Sequence, residues 1–127
     1  MRILVIGATG TIGKAVVAAL SPKHDVVAAS HPHATEKVDI SDPASIRALL
    51  ARLGKFDAIV SAAGSARFVP LASLSEDDFA YSTANKLMGQ VNLTRLGMAS
   101  LRRASKDRRM AVSSSSHRRR SDTDGSF

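Results

Sequence analysis

Three evenly spaced glycines constrain the fold of this chain more than any other feature. In Gly7-Ala8-Thr9-Gly10-Thr11-Ile12-Gly13 they recur at every third residue. Residues 2–6, directly before them, form an apolar and largely β-branched run, which is typical of a strand buried on both faces. After them, Ile12, Val16 and Leu20 recur at helical spacing. The segment is therefore predicted to be a tight turn between a buried strand and a helix.

Short strands and helices alternate along the chain that follows. Strands are predicted at residues 25–29, 38–40 and 56–60, with a polar loop over residues 30–37 between the first two. Alternating β and α elements predict a parallel sheet with helices on both faces. The expected fold class is therefore α/β, a Rossmann-type doubly wound parallel sheet.

Two of the predicted helices have recognisable ends. Asp42 is a good N-cap, Pro43 suits the first helical position, and Gly54 follows the last apolar residue of that helix. Residues 75–78 match a capping box that opens a later helix. That helix is expected to extend as far as Leu101, and it carries four large apolar residues: Phe79, Met88, Val91 and Met98.

The glycine turn has the features of a site for a dinucleotide. Gly7 permits the tight turn, Gly10 lets the backbone approach a pyrophosphate, and Gly13 lets the helix pack close to the strand. The helix N-terminus offers free N–H groups and a partial positive charge to phosphates. A plain structural turn is the alternative. The predicted phosphate-binding residues are Gly7, Thr9, Gly10, Thr11, Ile12 and Gly13.

In this form the turn resembles the glycine motif of the short-chain dehydrogenase/reductase family. Asp39-Ile40 resembles the family's acidic residue after the third strand, which contacts the adenine ring. Ser61-Ala62-Ala63-Gly64 resembles its Asn-Asn-Ala-Gly motif after the fourth strand, with both asparagines replaced. Asn85 resembles the asparagine of the next helix, and the resemblance implies a catalytic part for it. The resemblance covers about residues 1–97 and adds five residues to the predicted cofactor site: Asp39, Ile40, Ala62, Ala63 and Gly64.

Each of these positions also has a purely structural interpretation. Asp39 would then be only the residue before a turn, residues 62–64 only the end of a strand, and Asn85 only a solvent-facing helical residue.

The end of the second predicted strand bears on the choice of cofactor. Proteins of this fold that prefer NAD carry an acid there for the ribose 2′-hydroxyl. This chain has Ser30-His31 instead, and these side chains can donate hydrogen bonds to a 2′-phosphate. We therefore predict NADP(H) as the cofactor, with NAD(H) as the alternative.

The resemblance implies hydride transfer between the nicotinamide and a small carbonyl or alcohol substrate, assisted by a Tyr-x-x-x-Lys pair. A phenol needs a nearby positive charge to exchange protons at neutral pH. The single tyrosine, Tyr81, is followed four residues later by Asn85 and not by lysine. It also precedes the asparagine motif, so Tyr81 is interpreted as an ordinary helical residue. The chain is predicted to be inactive alone, and a non-catalytic NADP(H)-binding module is the alternative.

The last quarter of the chain differs from the rest. Residues 97–127 hold eight Lys/Arg and three Asp, which gives +5 of the net charge of +7. We therefore divide the chain into a Rossmann domain, residues 1–101, and a basic Ser/Arg-rich tail, residues 102–127, which is expected to be disordered. Residues 110–114 resemble a fifth strand and its serine, but the flanking arginines argue against that assignment.

The change near residue 97 suggests an open reading frame that is truncated or frame-shifted; a natural short form is the alternative. An incomplete sheet would expose the edge of the fourth strand, so self-association is expected. The tail lacks interleaved aromatic residues and is interpreted as a solvated segment, with binding to nucleic acid or to an acidic partner as the alternative.

Composition excludes several other classes of protein. The chain has no cysteine, and the four histidines at positions 24, 31, 33 and 117 form no metal-binding pattern. No apolar run approaches the length needed to span a bilayer. We therefore expect a cytoplasmic protein without a metal and without a membrane partner.

Overall fold

Five parallel strands form one sheet in the part of the chain that the structure describes. They are β1 (Arg2–Ile6), β2 (Asp25–Ser30), β3 (Glu36–Lys37), β4 (Ala58–Ser61) and β5 (Ala111–Val112). The spatial order β3-β2-β1-β4-β5 places β1 in the centre. The structure is a computed structural model that describes residues 1–31, 33–103 and 111–112. The predicted α/β class, a Rossmann-type parallel sheet, is confirmed.

Four α-helices connect or flank these strands: α1 (Thr11–Leu20), α2 (Pro43–Leu53), α3 (Glu76–Ser82) and α4 (Gly89–Gly97). A π-helix, Thr83–Met88, joins α3 to α4, and 3₁₀ turns occupy Leu71–Ser73 and Met98–Ser100. The predicted caps are confirmed, because the Asp42 carboxylate accepts a hydrogen bond from the Ala44 N–H and Ser75 forms a capping box with Asp78. None of the described helices is both long enough and apolar enough to cross a bilayer.

Strand β1 is buried on both faces, as its composition predicts. On one face Leu4 and Ile6 pack into a core with residues of α2 and α4, among them Ile46 and Leu93. On the other face Ile3 and Val5 pack with residues of α1. Each such aliphatic side chain contributes roughly 1.5–3 kcal/mol by its removal from water. The central strand therefore holds the two helical layers together.

The third strand lies earlier than the sequence predicts. Glu36 and Lys37, which were expected to be part of a loop, pair with Ala29 and Ser30 of β2. The predicted strand residues 38–40 follow β3 and lie outside it. Val38 is only 3 % exposed and Ile40 only 5 % exposed. Their apolar character reflects burial against the core and not strand pairing.

A fifth strand exists where the flanking arginines argued against it. Ala111 pairs with Val60 and Val112 with Ser61, so two residues of the predicted tail belong to the sheet. The edge of β4, expected to be uncovered, is covered at Val60 and Ser61. The disorder expected for the tail concerns residues 104–110 and 113–127, which lie outside the described residues, and self-association stays a prediction.

The helix after Ser75 runs without a gap to Ser100, close to the predicted end, but its middle part, Thr83–Met88, is π-helical. Its four large apolar residues, Phe79, Met88, Val91 and Met98, are all exposed. The buried face of α4 instead consists of Gly89, Asn92, Leu93 and Gly97. The wider π-helical turn shifts the phase of the helix before α4 begins. A Cβ atom at Gly89 would lie 2.8 Å from Ile40 Cδ1, so this face depends on small residues for close packing.

A buried carboxylate joins the start of the sheet to the end of the predicted domain. Asp57 is 6 % exposed, and its Oδ2 accepts a hydrogen bond of 2.7 Å from the Arg2 backbone N–H. The Arg102 guanidinium lies 3.2 Å from the same oxygen, and the Arg102 N–H donates to the Phe56 carbonyl at 2.8 Å. Arg102, assigned to the tail from the sequence, is therefore bonded to the folded domain.

Loss of this carboxylate should destabilise the fold. In Asp57→Ala the half-buried Arg2 N–H and the Arg102 guanidinium both lose this carboxylate as a partner, so the free energy of unfolding should fall by about 2 kcal/mol. Asp25→Ala is the matched control, because Asp25 pairs with Arg2 at 3.7 Å but its side chain is 72 % exposed. An exposed ion pair of this kind contributes less than about 1 kcal/mol. Urea unfolding measures both values, and equal losses would contradict the assignment.

Candidate functional site

A cleft of about 450 Å³ opens at the carboxyl ends of β1, β2 and β4. From β1 the chain continues to β2 on one side of the sheet, and from β4 it continues to β5 on the other side. The cleft therefore lies at the topological switch point, where open α/β sheets bind ligands. The predicted site residues that line the cleft are Gly7, Thr9, Gly10, Ser30, His31, Asp39, Ile40, Ala62, Ala63, Gly64 and Asn85. Thr11, Ile12 and Gly13 do not line it.

Five further residues line the cleft that the sequence did not indicate: Ile6, Val38, Ser41, Ser65 and Tyr81. Four of them, Ile6, Val38, Ser41 and Ser65, directly adjoin predicted site residues, so extending each motif by one position would have found them. Tyr81 is brought in by helix α3, whose capping box is visible in the sequence but whose position beside the cleft is not.

The three glycines of the turn are required for different reasons. Gly7 has φ +82°, and a Cβ atom there would lie 2.6 Å from the Ala63 nitrogen. A Cβ atom at Gly13 would lie 1.9 Å from the Gly7 carbonyl oxygen. At Gly10 the nearest atom would be that same oxygen at 3.4 Å. The fold therefore requires glycine at positions 7 and 13, whereas position 10 has room for a side chain.

The turn and the first turn of α1 present backbone N–H groups. Gly10 is the N-cap of α1 and provides no side-chain hydrogen bond to the helix. The first N–H groups of a helix have no partner within the helix. Together with the helix dipole, they favour a negatively charged group at this point.

Hydrogen bonds join the glycine turn to the end of β2. The N–H groups of Gly7 and Ala8 donate to the Ala29 carbonyl at 2.8 and 3.1 Å. The hydroxyls of Thr9 and Ser30 lie 2.7 Å apart. His31 is exposed at the rim of the cleft, and no carboxylate follows β2 directly. The polar groups at this strand end are therefore hydroxyls and an imidazole.

Asp39 has both a structural contact and a place in the cleft. Its Oδ1 accepts hydrogen bonds from the Ser41 N–H at 2.9 Å and from the Ser41 hydroxyl at 2.6 Å. Its own N–H donates to the Ser45 hydroxyl at 2.9 Å. These bonds fix the turn that starts α2, and they hold the carboxylate at the cleft wall beside Ile40.

The end of β4 is held by a residue of α4 that the sequence did not single out. The Ser61 hydroxyl donates to Gln90 Oε1 at 2.8 Å, and Gln90 Nε2 donates to the Ala63 carbonyl at 2.6 Å. Ser61 is fully buried. The segment Ser61–Gly64 is thus fixed against both α4 and, through Ala63, the glycine turn.

Tyr81 is a residue of helix α3, as expected, and it also lines the cleft with a cation beside it. The Arg67 guanidinium lies over its ring, 4.7 Å from the centroid. The Asn85 amide donates to the Tyr81 carbonyl at 3.0 Å, so the two cleft residues are one helical turn apart. The sequence could not show this, because Arg67 comes from the loop before α3.

Arg67 is held in place by α3. Its Nε lies 3.9 Å from Asp78 Oδ1, and its backbone N–H donates to the Ser82 hydroxyl at 2.9 Å. Hydrogen bonds from the Ser75 side chain and backbone, with a smaller contribution from the Arg67 charge, lower the pKa of Asp78. The capping box and the loop cation thus stabilise the same carboxylate.

Within residues 1–31, 33–103 and 111–112, no three His, Asp or Glu side chains lie close enough together to hold a metal ion.

The glycine turn, the open cleft and the parallel sheet define a Rossmann-type dinucleotide-binding protein. Residues 3–118 match the NAD dependent epimerase/dehydratase family, and the chain belongs to this family. No curated protein sequence matches it.

Solved structures share this fold. The protein lin1944 from Listeria innocua is 45 % identical, with a TM-score of 0.77 over 80 % of this chain and 51 % of that one. A small-chain dehydrogenase in complex with NADPH is 26 % identical, with a TM-score of 0.71 over 81 % of this chain and 47 % of that one. A Burkholderia multivorans protein with bound NADP, 24 % identical, has a TM-score of 0.77 over 90 % and 58 % and shows the fold alone.

The short-chain dehydrogenase/reductase resemblance is confirmed, and the chain spans roughly half the length of these proteins, between 47 % and 58 %.

The two glycines that flank Gly10 should be far less tolerant of substitution than Gly10 itself. Gly13→Ala places a methyl group against the Gly7 carbonyl, so the folded chain should lose more than about 3 kcal/mol. Gly10→Ala meets only an ordinary contact and should change stability by less than about 1 kcal/mol. Thermal unfolding of both variants tests this difference, and equal melting temperatures would show that the turn is not packed as described.

Proposed function

We propose that this chain is the cofactor-binding part of a short-chain oxidoreductase and that it holds NADP(H) across the carboxyl ends of β1, β2 and β4. The observation that carries the proposal is the cleft itself, which runs from His31 past Gly10 to Gly64 at the switch point of the sheet. Gly10 supports it, since the fold leaves room for a side chain there. A glycine at that position keeps the backbone accessible to a pyrophosphate.

Each end of the cleft suits one half of the cofactor. In Rossmann folds the end of the second strand faces the adenosine ribose, and the helix after the glycine turn faces the pyrophosphate. Ser30, His31 and Asp39 therefore belong to the adenosine half of the proposed site. Residues 62–64 and Asn85 then belong to the nicotinamide half.

The preference for NADP(H) rests on the missing acid after β2. A carboxylate at that strand end would accept the ribose 2′-hydroxyl and repel a 2′-phosphate. Here Ser30 and the exposed His31 offer donors instead. The NADPH bound in the 26 % identical small-chain dehydrogenase is in keeping with this choice, whereas the family is named for NAD.

A carboxylate introduced at His31 should reverse this preference. In a fluorescence titration, wild type should bind NADPH more tightly than NADH. His31→Asp should weaken NADPH binding by at least about tenfold, because a like charge beside the 2′-phosphate costs more than about 1.4 kcal/mol. NADH binding should change little. His33→Asp is the matched control, since it adds the same charge to the same exposed loop outside the cleft. Tighter binding of NADH by the wild type would overturn the preference.

Hydride transfer to or from a carbonyl or alcohol, the activity that the resemblance implies, also requires a side chain that donates or accepts a proton. Tyr81 lies in the cleft, but the residue four positions later is Asn85, and an amide does not titrate near neutral pH. The Arg67 charge lies over the face of the Tyr81 ring. We infer that the 127-residue chain binds cofactor without turnover by itself. A non-catalytic NADP(H)-binding module is the second candidate function that the same residues support.

The isolated chain should show no reductase or dehydrogenase activity. Loss of general acid–base catalysis alone lowers rates by about 10²–10⁴-fold. The test is a panel of small alcohols, aldehydes and ketones with NADPH and NADP, followed by absorbance. Turnover that is abolished in Tyr81→Phe would contradict the proposal and identify Tyr81 as the proton donor. Turnover that survives that change but is lost in Asn85→Ala would also contradict it.

A further inference from the structure

The side chain of Gln90, in α4, is hydrogen-bonded to the end of β4, and this strand end forms one wall of the cleft. Its carbonyl oxygen accepts from the buried Ser61 hydroxyl at 2.8 Å, and its amide nitrogen donates to the Ala63 carbonyl at 2.6 Å. A single amide thus binds a strand residue and the cleft residue two positions later. Gln90 does not line the cleft, so it acts on the cleft only through these two bonds.

The segment that Gln90 holds has little freedom on its other side. A Cβ atom at Gly7 would lie 2.6 Å from the Ala63 nitrogen and 2.7 Å from the Ala62 carbonyl carbon, so these backbones are in close contact. The next residue, Gly64, has φ +134°, and a Cβ atom there would lie 3.6 Å from Gln90 Nε2. Residues 62–64 are therefore fixed between the glycine turn and the Gln90 amide.

This contact affects only one half of the cleft. The adenosine half is fixed independently, by the Thr9–Ser30 hydroxyl contact and by the hydrogen bonds from Ser41 to Asp39. The Thr9–Ser30 contact and the Ser41–Asp39 bonds involve neither Gln90 nor Ser61. Release of Ala63 should therefore alter the wall near β4 and leave the wall near β2 in place.

We propose that Gln90 is a positioning residue that sets the nicotinamide half of the dinucleotide site by holding the Ala63 carbonyl through its amide. This inference rests on the proposed function, because it assumes that a nicotinamide dinucleotide occupies the cleft. It assigns to α4 a binding role that is separate from its packing against the core.

The test compares two ligands that differ in the half they occupy. NADPH extends over the whole cleft, whereas 2′,5′-ADP corresponds to the phosphorylated adenosine half. Gln90→Met keeps the volume of the side chain and removes both hydrogen bonds. It should weaken NADPH binding by about tenfold, the equivalent of one lost hydrogen bond, and leave 2′,5′-ADP binding within about twofold. A residue with only a structural role would not change the ratio of the two affinities.

Two further variants complete the experiment. Ser61→Ala removes the donor to Gln90 and leaves the Gln90 amide bond to the Ala63 carbonyl available, so it should change the ratio in the same direction by a smaller factor. It carries the test if Gln90→Met does not fold. Asn92→Leu is the control, because it replaces a buried amide of the same helix whose described side-chain partner is Arg95. It should leave the ratio unchanged.

The outcomes separate the two proposals. If wild type binds both ligands and Gln90→Met weakens both equally or neither, the inference about Gln90 is overturned and the proposed function stands. If wild type binds neither ligand, the proposed function fails and the inference fails with it.

Discussion

The contact between Gly13 and the Gly7 carbonyl is the constraint on which the rest of this structure depends. The space for a Cβ atom at Gly13 is already occupied by the Gly7 oxygen, which would lie 1.9 Å away. Helix α1 can therefore lie directly over the end of β1 only because position 13 has no side chain. This contact brings Ile3 and Val5 against α1 and leaves the opposite face of β1 for α2 and α4. The same contact places the start of α1 at the switch point of the sheet.

Features that depend on neighbouring residues were predictable from the sequence, and features that depend on distant partners were not. The glycine turn and the two helix caps are local, and the structure has them where they were expected. The position of β3 depends on the register with Ala29 and Ser30, which no local pattern encodes. The apolar residues Val38 and Ile40 predicted a strand, but in the structure they are buried without belonging to one. Likewise β5 exists because β4 offers an edge, and the arginines around it do not prevent pairing.

The candidate site shows the same division. Its glycines, strand-end residues and Asn85 belong to motifs, and the structure brings most of them to one cleft. Gln90 belongs to no recognisable motif, since its partners are 29 and 27 residues away in sequence. The exposure of the large apolar residues between Phe79 and Met98 could not be predicted either. The π-helical turn between α3 and α4 changes which face is buried, and a regular 3.6-residue period cannot anticipate it.

Binding and chemistry place different demands on a chain of this fold. A dinucleotide is held largely by backbone N–H groups, by a helix end and by the close approach of glycines, all of which one β-α unit can supply. Proton transfer requires a titratable side chain whose oxygen faces the reacting carbon and a cation beside that oxygen. Tyr81 supplies a titratable side chain in the cleft, and the Arg67 cation lies over its ring face, where it is attracted to the π electrons. Backbone groups and the helix end of one β-α unit can therefore meet the demands of dinucleotide binding, whereas proton transfer depends on where a single side-chain oxygen and its cation lie.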